Sequence, residues 1–329
     1  MNDHELGVIG IGNAIVDVIA TVDDALLARD GLTKGSMALV SEERAIQLQS
    51  QLAGAQESCG GSAANTIAGV GSLGGSVGYV GKVAEDRLGE VFAQGMLREH
   101  VEYSTTRSRS GVSTACCIVL VTPDAQRTMN TFLGACTELG PQDVDESLIR
   151  RGRVTYLEGY LWDPPQAKQA FLRAAEIAHA AGRAVSLSLS DSFCVARHRE
   201  SFRQLVHEHV DILFANEDEI RALYQVDDFA AAVAAVRDHV TIAALTRGKD
   251  GSTIVWDTEV TNVPAAPVQC VLDTTGAGDL FAAGFLHAFT RGQPAAACGE
   301  LGSLCAAEII GHYGARPEIR LAVLNARTR

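Results

Sequence analysis

The sequence predicts an α/β protein: a sandwich with a mostly parallel central sheet flanked by helices, plus a small β lid. Three observations carry this. First, short β-branched runs recur as GVIGIG (7–12), SVGYVG (76–81), ACCIVLVT (115–122), VTYLEG (154–159), AVSLSLS (184–190), DILFAN (211–216), TIAALTRG (241–248) and STIVW (252–256). Second, alanine-rich amphipathic segments such as Ala167–Ala181 and Phe229–His239 separate several of them. That rhythm argues parallel pairing with helices on both faces. Third, two segments break the rhythm. Residues 14–39 read as strand, short helix and strand, and residues 113–133 as a two-stranded meander turning at Pro123-Asp124. The expected division is a large α/β unit of residues 1–13, 40–112 and 134–329, with a small β lid of 14–39 and 113–133.

Composition bounds the function. At 329 residues, 47% apolar and 20% charged, the chain is ordinary globular material with a sizeable core. Its 27 basic and 40 acidic residues give −13, which argues against nucleic acid or an anionic membrane as partner. The opening MNDHELGVIG carries acids before a short apolar run, unlike a signal peptide. The apolar stretch at 295–310 is interrupted by Glu300 and Glu308, too polar to span a bilayer. Eight cysteines include no CxxC pair, and they read as reduced, buried, small apolar residues of a cytoplasmic protein.

"GVGSLG" (69–74) matches the dinucleotide pattern GxGxxG. It follows a helical segment and precedes a strand, the reverse of what a dinucleotide site needs, so its glycines close a helix. No GxxxxGK[ST] occurs, which excludes a P-loop.

"VLDTTGAGDLFAAGFLHAF" (271–289) carries the chemistry. A helix opens at Gly276-Ala277-Gly278 with Asp279 in its first turn. Glycines let backbone N–H groups of a helix N-terminus approach a ligand closely, and those donors favour phosphate oxygens. A carboxylate beside such a cradle suits a base that accepts the proton of an attacking hydroxyl during phosphoryl transfer.

DTTGAGD followed by an apolar helix resembles the C-terminal signature of the ribokinase-like (PfkB) carbohydrate kinase family. "CGGSAANTIAGVGSLGG" (59–75) resembles its N-terminal signature, and further similar segments run in family order along nearly the whole chain. The resemblance implies a ribokinase-like sandwich and phosphoryl transfer from ATP with Mg²⁺, and it leaves room for a monovalent cation. It assigns Asn13 and Asp17 of "GNAIVD" to sugar hydroxyls, together with Gly60, Gly61, Ser62 and Asn65. Read locally, the first pair also fits an Asx turn, and Gly60-Gly61-Ser62 a capped turn. Asn216 and Glu219 of "NEDE" resemble the element that organises Mg²⁺ through water, and they equally fit a capping box. Thr246 and Gly248 of "TRGKDG", with Asp273, Thr274, Gly276 and Gly278, are implied to meet ATP.

"RTMNTFLGAC", "YLEGYLW" and "DILFANEDE" are closer to the adenosine kinase branch than to other branches. On alternation Met129, Thr131 and Leu133 share one lid face. With Leu39, Tyr160 and Phe193 they form candidate walls for a purine, and each alone also fits ordinary packing. The expectation is a nucleoside kinase, adenosine to AMP, in monomeric or homodimeric form; a sugar kinase of the same family acting on ribose or fructose is the alternative.

Overall fold

The computed structural model describes residues 4–124 and 126–327. The chain forms β1 (Leu6–Ile11), then crosses into a second sheet through β2 (Ile15–Thr21), α1 (Asp24–Arg29), β3 (Met37–Leu39), α2 (Glu42–Gln49) and β4 (Gln56–Gly60). It returns by α3 (Ser62–Ser72), β5 (Val77–Val80), α4 (Arg87–Arg98) and β6 (Glu102–Tyr103). The hairpin β7 (Ala115–Val121) and β8 (Arg127–Phe132) revisits the second sheet. Then follow α5 (Glu146–Arg151), β9 (Gly152–Glu158), α6 (Pro165–Ala180), β10 (Ala184–Ser188), α7 (Ser192–His209), β11 (Ile212–Asn216), α8 (Glu217–Tyr224) and α9 (Phe229–Val236). The chain closes with β12 (Ile242–Thr246), β13 (Ser252–Trp256), β14 (Glu259–Val263), α10 (Ala277–Phe289) and α11 (Ala295–Ile309).

The nine-stranded sheet runs β14-β13-β12-β11-β10-β9-β1-β5-β6, and the five-stranded sheet β3-β8-β7-β2-β4. From β12 to β6 every large-sheet pair is parallel; only β13 and β14 are antiparallel. Helices cover both faces, so the strands read as nearly continuous apolar runs. Strand alternation divides the core. Leu213 faces Phe171 and Phe202 on one side, while Ile212 and Phe214 join Ile67, Leu280 and Phe285 on the other.

The second sheet takes in more chain than the sequence suggests. Residues 40–60 were expected in the large unit, yet β4 pairs antiparallel with β2, opposing Ser58 to Asp17, and Ala45 and Leu48 of α2 pack under β7. Gln-Glu-Ser-Cys-Gly has no β-branched residue, so its pairing comes from β2 and not from its own propensity. β14, likewise unforeseen, follows a tight turn at Asp257, whose φ is 51°. GVGSLG closes α3 as expected, with Gly74 at φ 90° before β5. All eight cysteines are free, and all but Cys270 are buried. No helix of the described residues is long and apolar enough to cross a membrane.

Helix α10 lies between α3 and α11 because glycines let it come close. A Cβ on Gly69 would sit 2.6 Å from the Ala283 Cβ, and one on Gly284 2.5 Å from the Leu301 carbonyl oxygen. These contacts set where the N-terminus of α10 points. Gly284→Val is expected to lower the unfolding free energy by about 1–3 kcal/mol, the cost of overpacking a filled interface, as read by urea denaturation.

Candidate active site

The site lies at the C-terminal ends of the parallel strands, where β1, β9, β10, β11 and β12 meet the N-terminus of α10 and one face of the small sheet. Its first anchor is Glu158, at the end of β9 and 1% exposed. One oxygen accepts from the Asn13 backbone N–H at 3.2 Å and from Asn13 Nδ2 at 2.7 Å. The other accepts from the Ala63 N–H at 2.7 Å. A single carboxylate thus fixes the end of β1 against the start of α3. Burial pushes it up to about 7 against those hydrogen bonds.

Two glycines let the intervening loop lie flat. Gly61 has φ 96°, and a Cβ there would stand 2.3 Å from the Asn13 carbonyl oxygen. A Cβ on Gly60 would meet Asp17 Oδ2 at 2.4 Å. Asp17 is half-buried, with burial raising it to about 6 against Arg316 and Arg127.

Asp279 stands in the first turn of α10. Ser62 Oγ donates to its Oδ1 at 2.6 Å and Asn65 Nδ2 to its Oδ2 at 3.0 Å. Burial raises its pKa, and these two donors and the Arg316 charge oppose the rise. Ser62 and Asn65, expected on the sugar, therefore hold the carboxylate; Asn65 Oδ1 stays buried and unpartnered, facing no protein donor.

Gly276 precedes the helix at φ 79°, and nothing lies within 4 Å of where a Gly278 side chain would begin. The expected cradle of Gly276, Ala277 and Gly278 amides needs one correction. The Ala277 N–H closes a turn onto the Thr274 carbonyl at 3.2 Å. Gly276, Gly278 and Asp279 find no acceptor for their N–H among the described residues, so the open donors are these.

Asp273 was expected to meet ATP. Its Oδ1 instead accepts from the Thr275 N–H and hydroxyl at 3.0 and 2.7 Å, and its Oδ2 from the Gly314 N–H at 3.0 Å. Arg127 of β8 pairs with the same oxygen at 2.9 Å. Burial raises Asp273, but these bonds and the guanidinium outweigh it and hold the group below its ordinary value. A carboxylate filled in this way anchors the loop. Thr274 is exposed beside it.

At the end of β11, Asn216 and Glu219 form a complete capping box. Asn216 N and Nδ2 donate to Glu219 at 2.9 and 2.7 Å, and Asn216 Oδ1 accepts the Glu219 N–H at 2.9 Å. Burial raises Glu219 to about 7. Both its oxygens are engaged, and no group of three metal-ligating side chains gathers among the described residues. With these groups engaged, a divalent cation here would take its ligands from phosphate oxygens and water, and Asn216 and Glu219 would reach it only indirectly. Thr246 ends β12 beside them, and Gly248 takes φ 55° in the following turn.

The candidate base walls divide. Leu39 is 55% exposed, Phe193 81% and Tyr160 39%, so none of the three is core. The Tyr160 N–H donates to Ser190 Oγ at 3.3 Å, tying it to the turn that leads into α7, where Phe193 lies. Thr131 is buried and donates to Cys117 Sγ at 3.3 Å, while Met129 is half-buried. Leu133 lies outside the strand: β8 stops at Phe132, and Leu133 turns into αR (φ −77°, ψ −23°) before Gly134 at φ 45°. The 129-131-133 alternation thus fails at its last member.

The pfkB family carbohydrate kinase model matches residues 19–320. The chain belongs to the pfkB carbohydrate kinase family. As such it is a phosphotransferase acting on an alcohol group, in a family that uses ATP. The adenosine kinase structure from Sinorhizobium meliloti is similar to this kinase at 46% identity, covering 99% of this chain and 100% of that one with TM-score 0.91. A probable sugar kinase from Rhizobium etli CFN 42 is similar at 45% identity, with 98% of each chain covered and TM-score 0.91. A curated relative, 5-dehydro-2-deoxygluconokinase of Geobacillus thermodenitrificans, is 27% identical over 77% of this kinase and 79% of its own length.

Sequence reasoning missed three residues of this kinase's site: Glu158, Arg127 and Arg316. Glu158 sits in the quoted YLEGY run, where a carboxylate ending an apolar strand is a readable oddity. The arginines carry no local signal; Arg316 reaches a carbonyl 257 positions away.

Asp17, Glu158 and Glu219 all lie above their unfolded values of about 4 in the folded protein. The folded state therefore binds extra protons in between, and their contribution is full below about pH 4 and lost as pH rises through about 6–7. Unfolding free energy is expected to fall between about pH 5 and 7.5. Glu158→Gln, which cannot titrate, should remove on the order of 1–3 kcal/mol of that fall. An unchanged slope in urea titrations at the two pH values would mean Glu158 is ionised throughout.

Proposed function

We propose that this kinase transfers the γ-phosphoryl group of ATP to the 5′-hydroxyl of a nucleoside, with adenosine the first choice. The observation that carries the reading is the exposure of three large side chains on segments that adjoin residues of the site: Leu39 opposite Thr131, Tyr160 two residues after Glu158, and Phe193 at the start of α7. Exposed aromatic surface at a polar cleft suits a flat base, and a free sugar has no need of it. The similarity to a protein described as an adenosine kinase supports this choice. The curated relative described as a sugar kinase supports the alternative of a carbohydrate acceptor.

In this reading Asp17, Asn13 and Asn65 Oδ1 hold the ribose hydroxyls against the Gly60-Gly61 loop. Asn13 contributes its Oδ1, because Nδ2 is engaged by Glu158. Asp279 accepts the proton of the 5′-hydroxyl as its oxygen attacks the γ-phosphorus and the bond to the leaving ADP oxygen breaks. The free N–H groups of Gly276, Gly278 and Asp279 stabilise the charge on the transferring group. Mg²⁺, when bound with the nucleotide, neutralises phosphate charge near Asn216 and Glu219. Met129 and Thr131 line the small sheet, whose closure over the acceptor excludes water. Identical scattering profiles with and without substrates would remove that closing role.

Asp279→Asn is expected to reduce kcat by about 10³-fold or more while acceptor binding by calorimetry stays within a few-fold; near-normal turnover would remove Asp279 from the mechanism. ADP formation should show kcat/KM for adenosine exceeding that for ribose by about 10³-fold or more. Phe193→Ala should raise the KM for adenosine and leave that for ATP alone. A preference for ribose, fructose or another sugar would overturn the nucleoside reading and keep the chemistry.

A further inference from the structure

Three consecutive residues beyond α11 touch both ends of the cleft. The Gly314 N–H donates to Asp273 Oδ2 at 3.0 Å. Ala315 packs on Gly276 so closely that a Cβ there would lie 2.9 Å from the Ala315 Cβ. Arg316 then turns to the opposite end. Its Nε donates to the Cys59 carbonyl oxygen at 3.2 Å, and its Nη1 pairs with Glu99 Oε2 at 2.7 Å. Cys59 directly precedes Gly60-Gly61-Ser62, so this guanidinium sets the start of the loop that faces the acceptor. Its Nη2 is buried without a partner.

A strap needed only for packing would do better with an apolar side chain, because a buried guanidinium with an orphaned N–H is costly. The charge has another use. The groups that face Asp17 are Arg316 from the strap, Arg127 from β8 and Asp279 from α10, with the thiols of Cys59 on β4 and Cys117 on β7 beside them. Arg316 is also the guanidinium that acts on Asp279.

We propose that Arg316 is a positioning residue for phosphoryl transfer, holding the acceptor loop and the Asp17 carboxylate in register with Asp279 and the glycine cradle. The proposal rests on the roles given above to Asp17 and Asp279. It explains why one strap carries contacts to both ends: Gly314 and Ala315 locate the phosphoryl side, and Arg316 locates the acceptor side relative to it. It also fixes opposite electrostatic effects for two neighbours. Removing the Arg316 charge lets burial carry Asp17 and Asp279 further up, whereas removing the Glu99 charge leaves Arg316 unopposed and brings them down.

The test measures kcat and KM, with ATP and the best acceptor, from about pH 5 to about pH 9. The variants are Arg316→Met, Arg316→Lys and Glu99→Gln, each checked for folding by thermal melting. Arg316→Met is expected to raise the acceptor KM about tenfold or more, keep the ATP KM within about twofold and move the acid limb of kcat/KM to higher pH. Glu99→Gln should move the same limb to lower pH. Arg316→Lys should bring the limb back toward wild type while the acceptor KM stays raised, because an ammonium lacks the planar fork that holds Cys59 and Glu99 together. Limbs that do not move, or that move in one direction for both Arg316→Met and Glu99→Gln, overturn the proposal. So do acceptor and ATP constants that change in parallel. Should Arg316→Met not fold, an unmoved limb in Glu99→Gln or an unchanged acceptor KM in Arg316→Lys overturns it as well. Failure of the underlying site reading shows separately, as retained turnover in Asp279→Asn.

Discussion

The hydrogen bonds from Ser62 and Asn65 to the Asp279 carboxylate are the contact on which the rest of the cleft depends. They join two helix N-termini, those of α3 and α10, across 217 and 214 residues of chain. Each helix brings one half of the chemistry. The start of α3 carries the Gly60-Gly61 loop that faces the acceptor, and the start of α10 carries the glycine cradle. A buried carboxylate without donors would protonate, because burial disfavours its charge. Ser62 and Asn65 resist that, and in doing so they lock the two halves together.

Around this contact the chain places carboxylates in three distinct states. Asp273 is saturated by donors and a guanidinium, so it is held ionised and serves as an anchor. Glu158 is equally saturated but far more buried, and its proton is held near neutrality. Asp279 and Asp17 sit between these extremes, with part of their surface open to the cleft. Only the second pair can exchange a proton or a hydrogen bond with something arriving from outside. The difference is one of packing, since all four are carboxylates and differ in the donors and burial around them.

Two arginines near the site help tie the small sheet to the large unit. Arg127 reaches from β8 to Asp273, and Arg316 reaches from the strap to the Cys59 carbonyl of β4. Both leave one buried N–H without a partner, Nε in Arg127 and Nη2 in Arg316. These contacts hold the five-stranded layer against the mouth of the site. They also leave its outer strand β3 bare, with Met37 and Leu39 exposed.

Much of the architecture was legible in the sequence because it rests on local pattern. The eight apolar runs became strands, seven of them in the large sheet, where cover on both faces demands continuous apolar segments. GVGSLG could be rejected as a nucleotide site from helix-then-strand order alone, and the GAG opening of α10 from the poor fit of glycine to an ordinary cap. What stayed hidden has in each case a non-local cause. β4 has no strand propensity of its own and exists because β2 offers it an edge. Leu133 leaves its strand because Gly134 turns the chain. Ala277 loses its amide to a turn that spacing cannot show. Ser62 and Asn65 face Asp279 only once α3 and α10 pack, and Arg316 finds its partners only through the closed fold. Sequence by itself determined which residue types gather at the strand ends, because periodicity and glycine placement are local. Tertiary structure alone decided which of them hold one another and which remain open to a ligand, because hydrogen-bond donors are allotted by contacts made across hundreds of residues.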